Sequence, residues 1–315
     1  MQTRKPVKAG AASHTVALPK DWLKKNNLEK GNIVYIRELA SNELLVSSQE
    51  ERKQKEEKEI TISLEDKKLD TLHRELASAY INNHTTINII GKELYRNVVE
   101  IRNILNNFVA LEITEQTSTK IVAKDMLSLK EVSIDKTIRR VDNIIRSVLK
   151  DVMEKSADMQ DSINMRDSDV NRLYFLLFKI AKGALMDPSI SKEVGISSQV
   201  DILSYWYLIL NLEAIADHSK DIYSSYISLG KDKSSEGINA VLKLIEESYL
   251  EVMKSYYGND KMAADRVASK RIDIFNRCEE LSEKQASMHV IRIAENLKDI
   301  ENSICNISRV VMDKE

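Results

Sequence analysis

IADHSKDI (residues 215–222) returns 78 residues later as IAENLKDI (residues 293–300), so the C-terminal half carries the same helical unit twice. Acidic residues recur at every fourth position in each copy, as Glu213, Asp217 and Asp221 in the first and Glu295 and Asp299 in the second. Spacing of four stacks side chains on one face of a helix. Like charges stacked in this way destabilise the helix unless water, a cationic side chain or a metal ion offsets the repulsion.

Working outward, the chain has 315 residues, 43% hydrophobic and 30% charged, enough for two or three domains with a sizeable core. Only 8 Gly and 3 Pro interrupt it, which predicts a mainly α protein built from long helices. The longest apolar runs, such as YFLLF at residues 174–178, are far shorter than the roughly 20 residues that cross a bilayer. No membrane insertion is expected. The start of the sequence lacks the apolar core of a secretory signal, and Cys278 and Cys305 have no metal-ligand spacing. The cytoplasm is the expected compartment.

Charge is unevenly placed. Residues 1–30 hold seven Lys and Arg against Asp21 and Glu29, a net of +5, which leaves −7 for the rest of a chain whose total is −2. This is the footprint of a small module that meets a polyanion, joined to a body that does not. Within residues 1–49 the pattern reads strand, strand, short helix, strand, strand. A first pair spans residues 7–18, PKDWLKKN opens with Pro19, and NIVYIRE and ELLVS alternate across Ala40, Ser41 and Asn42. A unit this small buries little surface alone and is expected to form a homodimer. Trp22 shares a helical face with Leu18, which assigns it to the core rather than to contact.

EERKQKEEKE, residues 50–59, has nine charged residues in ten and reads as a solvated linker. Residues 60–127 then alternate as βαβαββ, a small α+β domain of ferredoxin-like or KH-like type. It lacks the GXXG loop of a KH nucleotide clamp, since Gly91 stands alone. From residue 133 to 315 the pattern is helical throughout. Breaks at Asp187-Pro188, Gly230 and Gly258 give six helices near 136–157, 160–186, 199–229, 235–257, 259–283 and 285–312. Three helices per copy predict two three-helix bundles side by side.

HTVALPKDWLKKNNLEKGNIVYI (residues 14–36) resembles the SpoVT-AbrB swapped-hairpin domain. That resemblance implies a barrel of two interlaced chains presenting basic residues to DNA: Arg4, Lys5 and Lys8 on the first strand, then Lys20, Lys24 and Lys25 on the helix. RDSDVNRLYFLLF, YWYLILNLEAIADHSKDI and HVIRIAENLKDIENSI together resemble the PhoU family, and IDKTIRRVDNII fits its first helix. The domain order is similar to that of archaeal phosphate uptake regulators.

The PhoU resemblance implies iron or zinc clusters on acidic helix faces. Carried over by position, a first metal site uses Asp167, Asn171, Glu213, Asp217 and Asp221, and a second uses Asp273, Glu295 and Asp299. This sequence departs from the motif at Asn171, at Ser269 and at Ile291, the counterpart of Glu213. The competing reading is a solvated acidic face paired to Lys220, Arg172 or Lys298. His73, His84, His218 and His289 form no zinc spacing, although His218 follows Asp217. With no phosphate cradle and no Ser-His-Asp arrangement, an enzyme is not expected.

The function implied is regulation of phosphate uptake. DNA would be bound through the N-terminal homodimer, and the acidic bundle would sense a signal or dock a phosphate transporter or signalling protein. The alternative is a transcription factor whose bundle senses a metal or other ligand unrelated to phosphate.

Overall fold

The computed structural model describes residues 3–11, 13–40, 43–49, 58–196, 198–230, 232–284 and 287–314. Two compact units divide it, Met1–Glu56 and Glu57–Glu315.

In the first unit β1 (Val7–Lys8) pairs antiparallel with β2 (His14–Thr15), and β3 (Tyr35–Ala40) pairs antiparallel with β4 (Glu43–Ser47). Between them lies α1 (Lys20–Lys25). Pro19 stands at the N-cap, one place before the first helical residue, with φ −62° and an extended ψ of 131°. Gly31 takes φ +95°, a left-handed conformation that a residue with a Cβ adopts only under strain. The unit has the elements of a fold but no interior. Among its described residues none is buried, and Val7, Val16, Ile33, Ile36 and Leu44 are each more than half exposed. The expected turn at residues 41–42 lies outside the described residues, as do residues 50–57 of the expected linker; Glu59 already begins a strand.

The second unit opens with a four-stranded sheet of β5 (Glu59–Ser63), β6 (Thr86–Ile90), β7 (Leu111–Gln116) and β8 (Lys120–Asp125), in spatial order β5-β6-β8-β7. β5 runs parallel to β6, as their connection through α2 (Leu69–Ile81) requires; the remaining pairs are antiparallel. Ile62, Ile87, Ile89, Ile121 and Ala123 alternate onto one face and bury against Leu72, Leu76 and Tyr80 of α2 and Ile101 and Leu105 of α3 (Val98–Leu105). Residues 94–97 form a 3-10 turn before α3.

α4 (Ile134–Glu154), α5 (Gln160–Met186), the short α6 (Pro188–Glu193), α7 (Gln199–Leu229), α8 (Ser235–Gly258), α9 (Lys261–Ser269), α10 (Arg271–Lys284) and α11 (Met288–Met312) follow. Caps fix the starts of several. Ser198 and Asp201 form a reciprocal capping box on α7, and Asp187 caps α6 with Pro188 in its first turn. Several limits differ from the sequence reading: α4 begins two and ends three residues earlier, and α6 stands where that reading has no helix. Gly258 is still helical, and Asn259 takes the left-handed position at φ 51° that ends α8. The fifth long helix is broken at Lys270, next to Ser269, whose hydroxyl bonds back to the Asp265 carbonyl. Ser168, Ser224 and Ser303 make the same bond inside unbroken helices, so it does not by itself account for the break.

α4, α5 and α7 pack on one another, α8 to α11 do the same, and the longest seam joins α7 to α11. At that seam His218 Nδ1 meets Asn296 Oδ1 at 2.7 Å, and Asn306 donates to Asn211 Oδ1 at 3.0 Å. Partner numbers that rise on one helix while falling on the other mean that the two cross antiparallel. Positions 218 and 296 are 78 apart, which is the repeat length, so corresponding residues of the two copies meet at the centre of the seam.

Residues 60–127 and 133–315 are separate domains in the sequence reading, but both lie within one compact unit. Each has its own apolar core, and a polar clamp joins them. Lys179 of α5, 1% exposed, places Nζ 3.3 Å from Asp125 Oδ2 at the end of β8, donates to the Tyr80 carbonyl at 3.0 Å and lies over the Tyr80 ring. Asn83 donates to the Lys179 carbonyl, and Gly183, one turn on, leaves room for it: a Cβ there would stand 3.1 Å from Asn83 Nδ2. Phe175 completes the contact against Phe108 and His73.

Candidate functional site

α5 and α7 run side by side and bring Asp167, Asn171, Glu213 and Asp217 to one surface. Lys220 sits among them. Its Nζ is 2.8 Å from Asp167 Oδ2 and 3.3 Å from Asp217 Oδ1, so one ammonium bridges a carboxylate from each helix. Asn171 Nδ2 is 3.5 Å from the same Asp167 oxygen, and the other, Oδ1, is buried without a hydrogen-bond partner. Asp221, one turn further along α7, is exposed and outside this group.

The electrostatics follow from the count of charges. Burial, then Asp217 and Asp167, push the Glu213 carboxyl up to about 7 from 4.5. Burial also raises Asp167, against the opposing hydrogen bond from Lys220. Burial pulls Lys220 down, but its bond to Asp167 and the two acids together leave its pKa raised, as a cation held by anions must be. Three carboxyls face one ammonium, and the surplus negative potential favours either a proton on Glu213 or an added cation.

The second copy is different. Asp273, Glu295 and Asp299 are exposed. Lys298, the counterpart of Lys220, lies 3.3 Å from Glu295 and 3.8 Å from Glu279. Here too one ammonium lies between carboxylates of two helices, α10 and α11, but both acids are exposed, and Ile291 stands where Glu213 does in the first copy. Among the described residues no three or more His, Cys, Asp or Glu side chains converge as a metal-ligand group. The Lys220 and Lys298 pairings are those that the solvated-face reading names; Arg172 instead reaches Asp169 at 4.0 Å.

No family model, curated protein or solved structure matches this chain.

His218, half-buried, spends Nδ1 on Asn296 and belongs to the seam. In the N-terminal unit Lys8 is on β1, while Arg4 and Lys5 belong to the extended segment before it. These three and Lys20, Lys24 and Lys25 on α1 are all exposed. Trp22 is half-buried beside Leu18 and Leu23.

Glu301 is a further titratable group that the sequence reading overlooks. It is fully buried on α11, with Oε2 unpartnered and Oε1 3.6 Å from Cys305 Sγ; burial lifts its carboxyl to about 7. Its position in the apolar rhythm Leu297, Ile300, Ile304 is the signal that could have found it. Both Glu301 and Glu213 have folded pKa values above their unfolded 4.5. The native state therefore holds more protons between those values, and stability falls as pH rises from about 4.5 to about 7. The urea midpoint should drop between about pH 5 and about pH 8, and the drop should shrink in Glu301→Gln and in Glu213→Gln. An unchanged drop in both variants would refute this account.

Proposed function

We propose that the chain is a dimeric DNA-binding regulator of phosphate uptake, of the kind that combines a SpoVT-AbrB barrel with a PhoU bundle. One observation carries the reading. A basic unit with no buried residue among those described is joined to a duplicated helical body whose first copy pairs Lys220 with Asp167 and Asp217 and sets Glu213 near them. The first part needs a second copy to form an interior and offers cations to a polyanion. The second offers a place where a cation or a partner's basic group changes the charge.

Iron or zinc would enter the first face by displacing the Lys220 ammonium and coordinating Asp167, Asp217 and Glu213, with Asp167 Oδ1 the free acceptor. Lys220→Met should therefore strengthen zinc binding, and Asp217→Asn should weaken it, by about tenfold each in a calorimetric titration. Equal affinity in all three proteins would remove the metal from the proposal. The exposed second face should contribute little.

An acidic face repels phosphate, so a phosphate signal would reach this chain through a transporter or signalling partner. The same observation favours the second reading, a transcription factor whose bundle senses a metal. Deletion of the gene separates them. A phosphate uptake regulator predicts derepressed phosphate import and transporter transcripts in abundant phosphate. Unchanged import and transcripts at both high and low phosphate would leave the metal-sensing reading.

A further inference from the structure

The helical body, although acidic overall, holds a groove whose charged lining residues are all cations, with Asn143, Ile144 and Ser147 between them. Lys136, Arg139, Arg140, Asn143 and Ser147 occupy one face of α4, and Arg166 of α5 completes a groove of about 420 Å³ that has no carboxylate in its lining. The spacing i, i+3, i+4, i+7, i+11 makes this a continuous ridge about 16 Å long. The side chains of Lys136 and Arg140 make no hydrogen bond or ion pair among the described residues, and both also line an adjoining cavity of about 400 Å³ with Arg172, whose Nε is buried and unpartnered. The other cations are held in place beforehand. Arg139 lies 4.1 Å over the Tyr257 ring, whose hydroxyl is fixed 3.0 Å from Asp142 Oδ2; Asp142 in turn is gripped by Arg146 and Tyr249. Arg166 is anchored on Ser147, Ser162 and Asp151.

Stacked like charges without counter-ions cost stability, and preorganised guanidinium groups suit phosphate oxygens. From this geometry we infer that the groove binds a small oligophosphate anion, either a free phosphate chain or that of a nucleotide. Several cations spread along the ridge match a chain of phosphates better than one orthophosphate. The volume suits a small ligand. A long nucleic acid leaving the groove would run onto a body that is net negative, and Glu131 and Asp169 already border the adjoining cavity. This inference rests on neither acidic face and is independent of the phosphate-uptake reading.

Calorimetric titration of the full chain tests it, with tripolyphosphate, ATP, orthophosphate and citrate as probes. A background carrying Arg4→Ala, Lys5→Ala and Lys8→Ala removes the N-terminal cations. Tripolyphosphate should bind at least about tenfold more tightly than orthophosphate or citrate, and Lys136→Gln with Arg140→Gln should weaken it by about tenfold or more. ATP equal to tripolyphosphate identifies the phosphate chain as the recognised group; tighter ATP identifies a nucleotide, and either supports the site. The variant's unliganded melting temperature should not fall and should rise slightly, since both side chains are exposed and removing them relieves the like-charge stacking. No binding at about 1 mM, affinity equal to citrate, or affinity indifferent to the double substitution would overturn the inference. So would duplex DNA binding to the same residues more tightly than tripolyphosphate.

Discussion

Lys179→Ala should lower the unfolding free energy of the helical unit by about 3–5 kcal/mol, because it leaves Asp125 charged and buried without its main counter-ion. Both side chains are 1% exposed, so water cannot reach the orphaned carboxylate. The Tyr80 carbonyl also loses a donor, and the lysine stem no longer fills the space beside the Tyr80 ring. A paired substitution separates charge from packing. Lys179→Met with Asp125→Asn removes both charges and keeps an acceptor for the Leu127 N–H, which Asp125 Oδ1 accepts at 3.1 Å. It should recover most of the loss, since replacing both members of a buried pair is often close to neutral. Urea denaturation followed by circular dichroism measures both. A single substitution costing under about 1 kcal/mol would show that the clamp does not hold the sheet to the helices.

The second large effect concerns DNA. On the proposed reading a dimer presents Arg4, Lys5 and Lys8 twice, six contacts in all. The logarithm of affinity should then fall with the logarithm of salt at a slope near −5, and by about three orders of magnitude between 50 and 200 mM salt. Replacing the three by Ala should flatten the slope and abolish binding at physiological salt while the dimer persists. On the same reading sedimentation of residues 1–49 alone should report a dimer, with a second copy covering the exposed Val7, Val16, Ile33, Ile36 and Leu44. A full-length protein that shifts no genomic fragment at low salt would exclude the DNA role. A monomeric fragment that stays folded would exclude the shared barrel.

Much of the architecture was legible because its causes are local. The 78-residue repeat, the strand-and-helix order after residue 59 and most helix limits follow from periodicity, caps and scarce glycine. The Lys270 break was not legible, since neither Gly nor Pro marks it. The end of α8 was misplaced by one residue for a related reason: asparagine, not the preceding glycine, took the left-handed turn. Lys179 directly follows the apolar run YFLLF, nothing local marks it as buried, and the distant Asp125 is its ionic partner. The acidic column was plain from spacing of four. Its neutralisation depended on how α5 approaches α7, which no local pattern encodes. The basic ridge on α4 had the same i, i+3, i+4 signal within IDKTIRRVDNII, but that segment drew notice only as a resemblance.

The meeting of His218 with Asn296 at corresponding positions has a consequence for how the two copies can diverge. Were the halves separate identical chains, the same residue would face itself there, histidine against histidine or asparagine against asparagine. Every change on one acidic face would then be copied onto the other. Joined in one chain, the two positions take complementary donor and acceptor roles, and each half is released from its twin. One copy can keep Glu213 and the opposing Asp167 while the other sets Ile291 in the matching place. The molecule gains a single distinguished surface, so a ligand or partner meets it in one orientation and with a stoichiometry of one per chain.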